Sequence, residues 1–200
     1  MELGIDKFYI YDNNEVYGEK FEDVLQDFID QNLVEIINMR GNQTHYPQVF
    51  AYESCYHDHI NDYDWFLFFD FDEYLYIKNY SLNDFVQLPI FDNCSSILYF
   101  WRHYTDNGQL YYNIESPVKR FRVPIPLNIQ ISKHGNQKSM SRGRIQYLTH
   151  TRSVHAPFFR NGTHNTKYIT CNTEGNMYNK FDKRQRNIRT YKNAFLKHFH

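Results

Sequence analysis

The sequence of 200 residues lacks several features that define common classes of protein. It has no apolar run approaching the roughly 18 residues of a membrane-spanning helix, so no membrane span is expected in this chain. The start, MELGIDKFYIYDNNE, has no basic region, apolar core and small-residue cleavage site in succession, and it predicts no signal peptide. Repeats and low-complexity linkers are also missing. We therefore expect a single domain over residues 1–200.

Cysteine is scarce and shows no metal-binding or redox spacing. The three cysteines are Cys55, Cys94 and Cys171, far apart and odd in number. We predict three reduced, buried thiols in an intracellular protein, and hence a cytoplasmic location. Asn-X-Ser/Thr motifs occur at Asn42, Asn79, Asn93 and Asn161. These motifs weakly favour secretion, so the secretory-pathway lumen stays open as an alternative if the chain is a fragment.

Each half of the chain lacks charge of one sign. Residues 1–100 hold 4 basic and 19 acidic residues, a formal charge of −15 (4 minus 19). Residues 101–200 hold 18 basic and 4 acidic residues, a charge of +14 (18 minus 4), which leaves the whole chain at −1. Both halves are rich in Tyr, Phe and Ile, so a charged disordered tail is a poor explanation. We expect most of these charges to pair across one globular domain.

The first 76 residues predict alternating strands and helices. The predicted strands are at 5–11, 34–39 and 65–71, and the predicted helices at 19–31 and 47–59. The last strand, WFLFFDF, has no polar alternation, as expected for a strand that is buried on both faces. Strands that alternate with helices predict a parallel βαβαβ unit in an α/β protein.

The second half predicts a different, β-rich organisation. A short helix from Ser81 to Leu88 begins with Ser81 and Asp84 in a near capping-box arrangement. The β-like segments that follow are SSILYFW (95–101), LYYN (110–113), KRFRV (119–123), IQIS (129–132) and RIQYL (144–148). We expect mixed and antiparallel strands with long loops there, and then a basic tail from Lys180 to Lys197.

Acidic residues follow two of the predicted strands. Asp12 follows the first strand, and Asp70, Asp72 and Glu73 follow the third. Residues two apart in an extended chain point to the same side, so Asp70 and Asp72 are expected to aim two carboxylates at one point. Such carboxylates call for a cation, and Mg²⁺ and Mn²⁺ take oxygen ligands while leaving positions for phosphates. The segment indicates a metal–diphosphate site, with a solvated acidic strand end as the alternative.

Several segments in series resemble those of glycosyltransferases. FYIYDNN (8–14), QVFAYESC (48–55), DWFLFFDFDEYL (64–75) and FWRHYTDNG (100–108) resemble landmark segments of GT-A-fold enzymes in the family 92-like and family 2-like group. RF (120–121), KSM (138–140) and VHAP (154–157) follow in the same order. The resemblance covers nearly all of the chain, and its DxDE segment is the most specific part.

The resemblance implies both a fold and an activity. The implied fold is one GT-A-like (Rossmann-like) domain, a mixed sheet flanked by helices, with a βαβαβ N-terminal half and a more irregular, β-rich C-terminal half. Against the family's pattern the chain looks trimmed, without the first strand and the C-terminal end. The implied activity is a metal-dependent, inverting transfer of a hexosyl group from a nucleotide-diphosphate sugar to a hydroxyl of a glycan or another acceptor. The implied cofactor is Mn²⁺ or Mg²⁺.

The resemblance also suggests roles for individual residues. The metal ligands would be Asp70, Asp72, His155 and His198. The nucleotide sugar would be bound by Asp12, Asn13, Asp70, Lys138 and Arg120. Asp106 would take the acceptor proton as catalytic base, with Glu115 behind it. These assignments have structural alternatives. Asp106, in Asp-Asn-Gly, could instead belong to a hairpin turn. His155 and His198 could be structural histidines, and Lys138 and Arg120 ordinary surface charges.

Three other functions remain open at this point. A haloacid-dehalogenase-like phosphotransferase also places a DxD after an apolar strand, but it expects Thr or Val where Glu73 stands and a later acidic pair. A nucleic-acid-binding module would use the basic half, although the acidic half would repel the same polyanion. A non-catalytic carbohydrate-binding remnant of the glycosyltransferase fold is the third.

Overall fold

The structure is a computed structural model that describes residues 4–41, 45–105, 108, 111, 115–126, 137–146, 148–149, 158–159, 168–178 and 192–199. The first five elements are β1 (Phe8–Asp12), α1 (Glu22–Asp30), β2 (Val34–Asn38), α2 (Pro47–Asp58) and β3 (Trp65–Leu67). Then come β4 (Glu73–Ile77), α3 (Leu82–Val86), a 3₁₀ turn (Pro89–Phe91), β5 (Ser96–Thr105), α4 (Pro117–Arg120) and β6 (Val123–Pro124). The last are β7 (Gln137–Arg142), β8 (Leu148–Thr149), β9 (Phe158–Phe159), β10 (Thr170–Asn172) and β11 (Ala194–Phe199). The result is the mixed α/β class that the sequence predicts.

The order of the first five elements is confirmed, but the pairing of the third strand is not. β1 and β2 run parallel, with Tyr11 opposite Ile37, as a βαβ unit requires. β3 instead pairs antiparallel with β7, with Phe66 opposite Ser141. The expected parallel βαβαβ unit is therefore wrong at its last strand. An apolar run indicates burial on both faces, but it does not encode the direction of the neighbouring strand.

The main sheet of the described residues has the spatial order β3, β7, β5, β11, β4, and both β6 and β10 also pair with β5. β11 is parallel to β5 and antiparallel to β4, so Leu196 lies opposite Trp101 on one side and Leu75 on the other. The sequence predicts only a basic tail in this region. β11 is a largely buried strand that brings the C-terminal residues into the middle of the sheet.

Burial of β3 on both faces is confirmed. Phe66 and Phe68 pack with Tyr56 of α2 in one apolar cluster. Trp65 and Leu67 pack against a larger cluster on the other face, which is built mainly from β5, β11 and α3. Alternate residues of one strand thus contact two separate cores.

The helix predicted at Ser81 is confirmed, and its Ser81 hydroxyl accepts the N–H of Asp84 at 3.1 Å. The segment KRFRV is not a strand throughout, because its first two residues end the helical turn α4. Among the described residues of RIQYL, the strand β8 includes only the last, Leu148. LYYN and IQIS lie outside the described residues except for Tyr111. None of the described helices is long and apolar enough to cross a membrane.

The prediction of three reduced cysteines is wrong for two of them. Cys94 and Cys171 form a disulfide with a Cα–Cα distance of 5.8 Å. β10 pairs with β5 so that Cys171 lies opposite Ile97, which brings it close to Cys94. The two residues are 77 positions apart, and spacing alone does not reveal such a pairing. Cys55 is the free cysteine, and burial raises its pKa to about 12.

Candidate active site at the ends of two strands

The acidic segment after β3 forms a turn that a buried glutamate closes. The N–H of Asp70 donates to Glu73 Oε2 at 2.8 Å, and the N–H of Glu73 donates to the carbonyl of Asp70 at 3.1 Å. Residues 71–72 are therefore a turn and not an extended strand. Because of this turn, the side chains of Asp70 and Asp72 contact different partners. The prediction that Asp70 and Asp72 are two positions of one extended strand is wrong.

A buried lysine neutralises Asp70. Lys138 on β7 is fully buried, and its Nζ lies 2.9 Å from Asp70 Oδ2. An ammonium group removed from water is costly unless an opposite charge meets it, so the position of Lys138 depends on Asp70. The ammonium also donates to the hydroxyl of Tyr52 at 3.2 Å. The contact of Lys138 with a nucleotide sugar stays a prediction.

Helix α2 supplies two further contacts to Asp70 that the sequence analysis missed. Gln48 Nε2 and the hydroxyl of Tyr52 both donate to Asp70 Oδ1, the latter at 3.3 Å. Burial, and then the charge of Asp70, raise the pKa of Tyr52, so its hydroxyl keeps its proton. Gln48 and Tyr52 are four residues apart and share one helix face. The sequence therefore indicates that Gln48 and Tyr52 act on the same side of α2, but it does not indicate that they contact Asp70.

Asp72 is the open carboxylate of the turn, and a histidine from β11 stands beside it. Its side chain is 59% exposed, and Asp72 Oδ2 lies 3.5 Å from His198 Nε2. The His198 ring stacks on Trp101 with a centroid distance of 4.2 Å, and the ring of His103 lies 5.3 Å away. The structure therefore brings together Asp72 and His198, two residues that are 126 positions apart, 198 minus 72.

Glu73 lies behind the turn, opposite His198 in the pairing of β4 with β11. Burial raises the pKa of Glu73 to about 7, although Lys138 and the hydrogen bond from Asp70 oppose the shift. In the described part of the chain, Glu73 Oε1 is buried without a hydrogen-bond partner. The turn thus holds three carboxyl groups in different surroundings: Asp70 is paired with a lysine, Asp72 is exposed and Glu73 is buried.

The end of β1 is a second acidic site with a different arrangement. Asp12 is buried, and its Oδ2 accepts Arg40 Nε at 2.8 Å. Asp12 Oδ1 accepts the N–H of Asn14 at 2.9 Å, and its carbonyl accepts the N–H of Met39 at 2.8 Å. Asn13 beside it is exposed. Asp12 therefore holds the loop and Arg40, while Asn13 faces solvent.

An aromatic contact connects the two strand ends. Phe71, in the middle of the acidic turn, stacks on Phe21 at the start of α1 with a centroid distance of 5.5 Å. The loop between β1 and α1 also borders an open groove of about 910 Å³. Val16, Tyr17 and Lys20 line the groove on one side. The two acidic sites are thus neighbours on one surface of the molecule.

Of the other predicted site residues, one is described and two fall outside the described chain. Arg120 is in α4, with its guanidinium 5.1 Å from the ring of Phe121. Asp106 and His155 lie outside the described residues. Among the described residues, no group of three or more His, Cys, Asp or Glu side chains is placed to hold a metal ion. Asp72 and His198 are therefore the pair on which a metal assignment would depend.

The fold and the site define a mixed α/β protein with carboxylates gathered where two strands end. A comparison with known families gives its class. The model of glycosyltransferase family 92 matches residues 2–199, so the chain belongs to this family. The match confirms the resemblance seen in the sequence segments and indicates glycosyl transfer. It favours that activity over the phosphotransferase and nucleic-acid alternatives.

Proposed function

We propose that this chain transfers a sugar from a nucleotide-diphosphate donor to an acceptor hydroxyl, with inversion, and that Asp72 and His198 hold a divalent cation for the reaction. The observation that carries the proposal is the exposed Asp72 carboxylate 3.5 Å from a buried imidazole. Family membership supports glycosyl transfer in general. The donor, the cation and the stereochemistry are our proposal.

The distance between Asp72 and His198 suits two ligands of one ion. Neighbouring ligands about 2.1 Å from an octahedral ion are about 3 Å apart, so 3.5 Å needs only a small adjustment. Mg²⁺ and Mn²⁺ at phosphate sites commonly take one or two protein ligands and complete their shell with water and substrate oxygens. Two side chains, one of them widely exposed, fit that use. When bound, the cation would offset the charge that develops on the diphosphate as the glycosidic bond breaks.

Asp70 would have a different task from Asp72. Lys138 and α2 hold its carboxylate in place, yet its side chain is still 37% exposed. A carboxylate has about four lone-pair positions, so Asp70 can accept a hydroxyl of the donor in addition to its present contacts. A rigid acceptor orients the donor without being displaced by it. We therefore assign Asp70 to donor positioning, with Lys138 and Gln48 as the groups that hold it.

The nucleotide would lie towards the end of β1, and the acceptor towards the end of β5. Arg40 borders the groove beside exposed Asn13, and Phe71 joins this region to the acidic turn. β5 ends at Thr105, at the end of the sheet where His103 lies opposite His198. Asp106 is next in the sequence, and we keep it as the proposed base for the acceptor hydroxyl. A GT-A arrangement of the sheet is part of the same proposal.

The test is a binding and turnover comparison on the full chain. A thermal-shift panel of nucleoside diphosphates, each with and without Mn²⁺, should show stabilisation that requires both ligands. Asp72→Asn and His198→Gln should abolish the Mn²⁺-dependent part of the shift. Asp72→Asn should also lower Mn²⁺-dependent hydrolysis or transfer by about 100-fold or more, since it removes a transition-state contact.

His59 and Asp62 provide a matched control, because they form an Asp–His pair of the same chemistry at 3.0 Å elsewhere on the surface. Asp62→Asn should leave both the shift and the turnover unchanged. Equal turnover in Asp72→Asn and the unmodified chain would defeat the proposal. A Mn²⁺-dependent shift without any turnover would instead identify a carbohydrate- or nucleotide-binding remnant of the family.

A further inference from the structure

Two Asn-X-Ser motifs lie on exposed turns of the described chain. Asn79-Tyr80-Ser81 joins β4 to α3, and Asn93-Cys94-Ser95 precedes β5. Both asparagines are exposed, and Asn79 has a left-handed backbone with φ 65°. The motif is the acceptor for N-linked glycans, which need a side chain that leaves the surface. Both positions meet that requirement.

The disulfide supplies an independent indication of the compartment. Cys94, the central residue of the second motif, is bonded to Cys171. Stable disulfides form in oxidising environments such as the lumen of the endoplasmic reticulum and are rare in the cytosol. N-linked glycans are added in that same lumen. The chemistry of the cysteines and the exposure of the asparagines therefore point to one location.

Glycans at these two positions would leave the candidate active site clear. β4 runs from Glu73 to Ile77, a length of about 13 Å, so Asn79 lies beyond its far end from Asp72. β5 is parallel to β11, and its start at Ser96 is about 23 Å along the strand from His103 beside His198. Asn93 lies before that start. Both motifs are at the end of the sheet away from Asp72 and His198.

We propose that the chain folds in an oxidising lumen and that Asn79 and Asn93 carry N-linked glycans. In the step, the side-chain amide nitrogen of asparagine attacks the anomeric carbon of an oligosaccharide carried on a lipid pyrophosphate. The new bond joins that carbon to Nδ2, the bond from carbon to the pyrophosphate oxygen breaks, and Nδ2 loses one proton. The lipid pyrophosphate leaves, and a transferase of the lumen catalyses the exchange.

The fold also limits when Asn79 and Asn93 can be modified. In the folded chain, the Ser81 hydroxyl donates to Asp84 Oδ2 at 2.7 Å and accepts the N–H of Asp84 at 3.1 Å. It is therefore occupied as the cap of α3. Ser95 is likewise engaged, since it accepts the N–H of Ile169 at 3.3 Å. Both hydroxyls are free only before these contacts form, so the glycans are added before folding is complete.

The test is site-specific mass spectrometry on the natural protein that contains this chain, isolated from the cells that make it. A non-reducing peptide map reports whether Cys94 and Cys171 are joined. Deglycosylation in heavy-oxygen water converts each glycosylated asparagine into a labelled aspartate. We expect the label at Asn79 and Asn93 in most copies of the protein.

Matched variants keep the result specific. Asn79→Gln and Ser81→Ala should both remove the label at position 79, whereas Ser81→Thr keeps the motif and should retain it. Asn32→Gln is the control, because Asn32 is an exposed turn asparagine with φ 57° but no motif. It should leave the label at 79 and 93 unchanged.

The outcomes separate the parts of the proposal. An intact disulfide with unlabelled Asn79 and Asn93 would overturn glycosylation. Free thiols at Cys94 and Cys171 together with no label would also overturn the oxidising compartment. Label at one position only would overturn the assignment of the other. None of these results depends on glycosyl transfer by this chain, so the proposed function stands or falls separately.

Discussion

The ends of β1 and β3 are built from similar residues but treat their carboxylates differently. At β1, the single carboxylate of Asp12 is buried, paired with Arg40 and hydrogen-bonded within its own loop. At β3, Asp70 is paired in the same way with buried Lys138, but Asp72 is a second carboxylate that points to solvent beside His198. Each strand end thus has one neutralised acid. The end of β3 adds an exposed acid that lies beside a histidine.

The difference shows which carboxylate an added cation would suit. An acid that is already paired with its own cation gains little from another, whereas an exposed acid beside an imidazole still has lone pairs to offer. Asp70 and Asp12 belong to the first kind, and Asp72 to the second. The proposed metal site rests on this contrast. Breaking the Asp12–Arg40 pair or the Asp70–Lys138 pair should therefore lower the free energy of unfolding more than it weakens the binding of a cation.

The largest effect is expected from Lys138→Met, which removes the buried cation and leaves Asp70 without its counter-charge. We expect the free energy of unfolding to fall by about 2 to 3 kcal/mol, below the range for fully buried pairs because Asp70 is partly exposed. Urea unfolding followed by circular dichroism measures the change. Adding Asp70→Asn to this variant should restore more than half of the loss. A double variant no more stable than Lys138→Met alone would show that the pair is not coupled.

Local patterns in the sequence predicted the parts of the fold that depend on neighbouring residues. The helix face of α2, the cap at Ser81 and the double burial of the run from Trp65 follow from spacing alone. The direction of β3 and the central place of β11 depend on partners more than 70 residues away along the chain. Local propensity carries no record of such partners, and the disulfide at Cys94 was missed for the same reason.

The candidate site was predictable in composition but not in geometry. The acidic turn was found because three acids follow an apolar run. The different partners of Asp70 and Asp72 were missed, because the Glu73 side chain bends the backbone into a turn that an extended strand would not form. Gln48 was missed because an amide on a helix face has many ordinary roles. Its importance follows from the contact with Asp70, which only the folded chain displays.

A smaller effect is expected from Arg40→Met at the end of β1. Arg40 is partly exposed, and the Asp12 carboxylate keeps the N–H of Asn14 as a hydrogen-bond donor when the guanidinium is lost. We expect a loss of about 1 to 2 kcal/mol in the free energy of unfolding, measured by the same urea titration. If Arg40→Met costs as much as Lys138→Met, the two strand ends do not differ in the way described above.

The smallest effect concerns the contact that joins the two strand ends. The rings of Phe21 and Phe71 stack at 5.5 Å, but Phe71 is an exposed side chain, so we expect a coupling energy of about 0.5 kcal/mol. A double-mutant cycle with Phe21→Ala and Phe71→Ala measures it by urea unfolding. Phe71→Leu keeps much of the apolar area and serves as the control for ring stacking.

Because the contact joins the proposed nucleotide region to the proposed cation region, Phe71→Ala should weaken binding of a nucleoside diphosphate several-fold while leaving Mn²⁺ binding to the free chain unchanged. An equal loss of both would mean that the ring supports the acidic turn itself and not the junction between the two strand ends.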